Sequence, residues 1–157
     1  MPHEVPKSPR LLTIAIAVAA LISATAPRVT AAAQATVEEL KARLSSTSIA
    51  DRPRLCIEIA ERQLDTTDKL YASTESEKAQ AALTDVVAFS ELARDYAVQS
   101  HKHEKQTEIA VRKIGRKLTD LKHAVVHDDQ AAVQDAIKRL QRVSDDLLAA
   151  MFHKGDK

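Results

Sequence analysis

The chain has no tryptophan, one cysteine (Cys56), two glycines and five prolines in 157 residues, and aromatic residues make up only 3%. Each shortage excludes a class of fold. A β-sandwich or barrel needs turn glycines and aromatic or β-branched strands. A disulfide scaffold needs cysteines that pair within the chain. Collagen-like and Gly-rich disordered chains need far more glycine than this. Charge excess is missing too. The 23 Lys plus Arg stand against 22 Asp plus Glu, whereas a dedicated nucleic-acid binder carries a marked basic surplus. Catalytic signatures are also lacking: no G-x-S-x-G, H-E-x-x-H, C-x-x-C or Gly-rich phosphate loop occurs. The sequence therefore predicts neither an enzyme nor an organic cofactor, and names no catalytic residue.

What is present is aliphatic. Residues 11–26 read LLTIAIAVAALISATA without a charge, behind a head carrying Lys7 and Arg10. Pro27 and Arg28 close the run, and Ala33-Gln34-Ala35 follows. Basic head, apolar stretch and small-x-small exit are the three parts of a secretory signal peptide, so residues 1–35 are expected to be a leader cleaved near 33–35. Cleavage after Ala35 fits the small-x-small rule best. The alternative is an uncleaved anchor, but 16 apolar residues fall short of the ~20 that span a bilayer comfortably. Cleavage removes Lys7, Arg10 and Arg28 but only Glu4, leaving 20 basic and 21 acidic residues. The exported chain, periplasmic or extracellular, would be close to neutral.

Beyond the leader, Pro53 is the one proline and Gly115 and Gly155 the two glycines. So few breakers, combined with apolar spacings of three and four, predict helices over about 37–45, 52–72, 75–126 and 129–152, and a disordered tail at 154–157. Thr36-Val37-Glu38-Glu39 and Thr74-Glu75-Ser76-Glu77 match capping boxes. The hydroxyls of residues 45–48 compete for backbone hydrogen bonds and end the first helix. Asp51 is expected to cap the second, with a weak point at 65–68. From Ala79 to Val125 the stripe steps without a phase jump through Val86, Ala93, Ser100, His103, Thr107, Ile114 and Leu118. It reads as one helix of about 50 residues, ~75 Å long, whose polar middle is where a fold-back would break it. The expected fold class is all-α: antiparallel hairpins sharing one long central helix, elongated and coiled-coil-like. Either Asp128 or Asp129 should cap the last helix. Gly115 would permit a close helix approach, and Cys56 fills a core-flanking position as a small apolar residue.

Two clusters invite function. A hairpin turning near Asp128 sets residues whose numbers sum to about 256 side by side, so His103 faces His153, near His101 and Glu104. Imidazoles and a carboxylate there could hold Zn, Cu or Ni, which is the alternative function: metal binding or buffering. His101 and His103 point to different faces of a straight helix, so His101 or Glu104 joins as a further ligand only if the helix bends at Ser100–His103. The same pairing sets Arg112, Lys113, Arg116 and Lys117 beside Lys138, Arg139 and Arg142. Ten basic against six acidic residues between His101 and Arg142 make an anion-attracting surface. The first expectation is a non-enzymatic scaffold, adaptor or holdase working through helix surfaces. Its partners would be an unidentified protein, an anionic ligand at the basic run or a second copy of the chain, with no nucleic acid.

Overall fold

A computed structural model of the chain describes residues 35–153. The expected leader and the tail at 154–157 lie outside the described residues, apart from Ala35. Five helices follow in order: α1 (Val37–Leu44), α2 (Arg52–Ala72), α3 (Ser76–Ser100), α4 (Glu104–Ala124) and α5 (His127–Phe152). The described residues are all-helical and contain no strand.

Local chemistry sets most of the boundaries. Thr36 caps α1 through the expected box: Glu39 N–H donates to Thr36 Oγ1 at 3.2 Å and Thr36 N–H to Glu39 Oε2 at 2.8 Å. Ser46 and Thr47 then donate their hydroxyls to the Arg43 carbonyl and stop the helix. Pro53 sits in the first turn of α2, where its missing N–H is harmless. Asp51 occupies the N-cap of α2 without a capping bond; its carboxylate accepts from Ser48 instead. α2 runs unbroken through 65–68, where Thr67 is buried and returns its hydroxyl to the Gln63 carbonyl.

The second capping box does not form. Thr74 takes a left-handed backbone (φ 59°), and the N–H groups of Thr74 and Glu75 donate back to Tyr71 and Leu70. These two bonds make a Schellman ending for α2, so Thr74 closes one helix rather than opening the next. α5 likewise starts two residues earlier than expected, with Val126 as an N-cap that makes no side-chain bond.

The largest correction concerns the long helix. Residues 75–126 form two helices, α3 and α4, joined through 101–103 with His101 and His103 both left-handed (φ 54° and 62°). Ser100 donates to the Tyr96 carbonyl at 2.6 Å and accepts from the Lys102 N–H of the turn at 3.3 Å. The chain reverses there, and the elongated shape drawn from one shared helix gives way to a bundle. α2 packs along α3, and α4 along α5. Lys122–Gln134 and Glu108–Ser144 bonds hold α4 antiparallel to α5. Between the hairpins, Ser76–Asp129, Glu91–Arg139 and Arg94–Asp146 bonds join α3 to α5 with both chains running the same way.

The core forms where the stripes meet. Leu64 from α2, Val86 from α3, Ile114 and Leu118 from α4, and Leu140 and Leu147 from α5 share one buried cluster. A second cluster seats α1, with Leu40 against Leu55 and Ile59. Thr74 is β-branched, and a left-handed non-glycine residue costs about 1–2 kcal/mol. Thr74→Gly should therefore stabilise the protein by about 1 kcal/mol, after the entropic penalty of glycine in the unfolded chain. Thermal unfolding followed by circular dichroism should show the rise, and Thr74→Ala, which keeps the backbone penalty, should not.

Candidate functional site

The break that makes the bundle puts two of the histidines in its turn. His101 and His103 lie in the turn, His101 exposed and His103 half-buried at the N-cap of α4. Glu104 is buried, and its Oε1 lies 3.7 Å from His101 Nδ1. His153 is exposed at the end of α5. Among the described residues, no group of three or more His, Cys, Asp or Glu is placed to hold a metal ion. The apolar-row position assigned to His103 belonged to a straight helix. In the left-handed turn that row no longer exists, and the four candidate ligands gain no common centre.

The basic run is sorted by neighbours from the first hairpin. Lys113 meets Glu61 at 3.4 Å and Lys117 meets Asp65 at 3.8 Å, both from α2. Arg139 holds Glu91 of α3 through both carboxylate oxygens at 2.8–3.0 Å. Arg112 pairs with the buried Glu108, whose Oε1 also accepts from Ser144 at 2.8 Å. What remains is narrower than the sequence suggests. Arg116, Lys138 and Arg142 are exposed and make no ion pair among the described residues.

Beside Arg112 and Arg116 a groove of about 340 Å³ runs between α4 and α5. Val111, Ile137, Leu140 and Leu148 make it apolar, and Gln141 and Asp145 edge its α5 side. Gly115 lies in it, and a Cβ built there would meet nothing within 4 Å. The glycine therefore serves no close helix approach; it leaves a gap on the α4 wall. Periodicity places Gly115 beside the stripe, but only the spacing of α4 from α5 shows the space above it.

Asp129 is the polar residue that sequence reasoning misassigned. It is 4% exposed and accepts from Ser76 Oγ at 2.7 Å and Gln80 Nε2 at 3.0 Å. Its carboxylate ties the start of α5 to the start of α3 instead of capping its own helix. Cys56 is fully buried, as a core-filling role requires, and burial pushes its thiol up to about 12.

Comparison with known proteins yields no matching family model, curated protein or solved structure.

Two measurements check this geometry. With so high a pKa, Cys56 carries negligible thiolate at pH 8. An aromatic disulfide reagent should leave the native protein unmodified and titrate one thiol in denaturant. Gly115→Ala should raise stability by about 1 kcal/mol, since helix propensity improves and no clash opposes it; chemical denaturation reads the shift directly.

Proposed function

We propose that the chain is an exported, non-enzymatic helical protein that acts as a scaffold, adaptor or holdase through the outward side of its second hairpin. One observation carries this reading. The α4–α5 hairpin leaves Arg116, Lys138 and Arg142 without ion pairs among the described residues, and it also exposes Ile109 at 53% and Phe152 at 76%. Soluble surfaces tolerate single exposed apolar residues, but apolar groups rimmed by charge are the composition of contact surfaces. The other charges of this region are already satisfied within the fold by Glu61, Asp65 and Glu91. The free cations therefore face outward and suit an anionic partner.

Export rests on the leader composition of residues 1–35. The Ala35 carbonyl accepts from Arg62 at 2.5 Å, and α1 begins two residues later. Cleavage close to this point would leave the capping box of α1 intact.

Mass spectrometry of the protein recovered from the exported fraction should find a new N-terminus at Thr36, or at Gln34. Chemical crosslinking in that compartment should yield an adduct with a second protein, and the adduct should weaken when Arg116, Lys138 and Arg142 are all changed to Ala. An intact Met1 in the membrane fraction would overturn export by cleavage. Absence of any adduct at native expression would overturn the adaptor reading.

A further inference from the structure

The groove over Gly115 has the dimensions and edges of a helix seat. Its α4 wall runs from Val111 to Thr119, nine residues spanning about 12 Å, which is a little over two helical turns. It is open along its length between two antiparallel helices. Such a cleft receives the side-chain ridge of a third helix, as ridges fill grooves elsewhere in helical proteins. Within it, beyond the adjoining residues and backbone of α4 itself, no atom lies within 4 Å of a Cβ position at Gly115, so an incoming side chain can approach the α4 backbone there.

The edges are chemically unequal. Arg116 makes no ion pair among the described residues. Arg112 meets Glu108, yet a guanidinium has five N–H donors and one carboxylate does not occupy them all. The facing edge carries Asp145 and Gln141. Both rows also continue in helical register toward the same end of the hairpin. From Arg112 the step back is to Ile109, and from Leu148 the step forward is to Phe152, two of the large apolar side chains left exposed.

We infer that this groove seats an amphipathic helix of a partner protein, its apolar ridge against Val111, Ile137 and Leu148 and an acidic flank against Arg112 and Arg116. This recognition mode sets apolar anchors at i, i+3, i+4 and i+7 into a hydrophobic groove. Asp145 favours a cation on the opposite flank and so sets the direction in which the partner lies, as flanking charges do in coiled coils. The inference rests on the adaptor reading and names the chemistry of the partner.

The probe is a fluorescent synthetic peptide of about four helical turns, with leucines at i, i+3, i+4 and i+7, glutamates on one flank and lysines on the other. Anisotropy titration of the cleaved protein should show saturable binding that Gly115→Leu weakens by about tenfold or more, since a leucine there fills the gap. A Cβ at this position meets open space and leucine is a better helix former than glycine, so the melting temperature should be unchanged or raised, which separates a blocked groove from a damaged fold. Arg116→Glu should weaken binding by a similar factor, whereas Lys117→Glu, on the α2 side, should not. Absence of saturable binding, or equal binding by the native protein and Gly115→Leu, overturns the inference. So does binding to phosphatidylglycerol vesicles that Arg116→Glu abolishes and Gly115→Leu leaves intact, together with no peptide binding; that result would mark a charged membrane-facing surface. The adaptor reading is judged separately by crosslinking: an adduct that survives Gly115→Leu keeps the adaptor and removes the groove as its seat.

Discussion

Everything in this fold depends on the chain turning back on itself between Ser100 and Glu104. A continuous helix over 75–126 would let α2 cover one half of its stripe and α5 the other, but would keep the two hairpins from packing on each other. Three residues in the turn, two of them left-handed, cost a few kcal/mol at most. The reversal lets four stripes meet and removes Val111, Ile114, Leu118, Val133, Leu140 and Leu147 almost wholly from water. Burying each such side chain is worth about 1.5–3 kcal/mol. The balance favours the turn by a wide margin.

Polar residues decide where the reversal falls and how the hairpins sit. Ser100 satisfies its hydroxyl on its own helix, and buried Glu108 is met by both Arg112 and Ser144. Asp129 performs the same service at the other end, where its carboxylate accepts from Ser76 and Gln80. A buried carboxylate is tolerable only when hydrogen bonds replace its water. Glu108 therefore commits the α4–α5 pairing, and Asp129 the register of α5 on α3. Together they specify which helices are neighbours, a choice that apolar burial alone leaves open.

The surface follows from this arrangement. Acidic residues of the first hairpin neutralise Lys113, Lys117 and Arg139, although exposed pairs of this kind contribute only about 0–1 kcal/mol each. Their larger effect is on recognition. By pairing with Lys113, Lys117 and Arg139 they leave Arg116, Lys138 and Arg142 as the cations of that run without an ion pair among the described residues. An apolar groove beside that charge, with a glycine gap in one wall, gives the second hairpin a polarity that the first lacks.

Much of this was legible in the residues. The spacing of apolar positions sets the helices and their buried faces, because period and face are properties of a single helix. The Thr36–Glu39 box, the hydroxyl stop after Arg43 and the first-turn Pro53 are decided within a few residues, and each appears where local chemistry puts it. The polar middle at 100–107 marked where a break would fall, but not that it would occur, since that depends on whether other stripes are near enough to bury. Thr74 and Asp129 were misread for a related reason: each has a good local partner in sequence and a better use in space. Arg139 and Glu91 are 48 residues apart, and Lys113 and Glu61 are 52 apart; no local pattern links such pairs. The sequence by itself determined the helical class, the capping box of α1 and the core faces. The tertiary structure decided which charges are neutralised and where Gly115 leaves space, because those depend on distances between helices that are neighbours only after the chain has folded back.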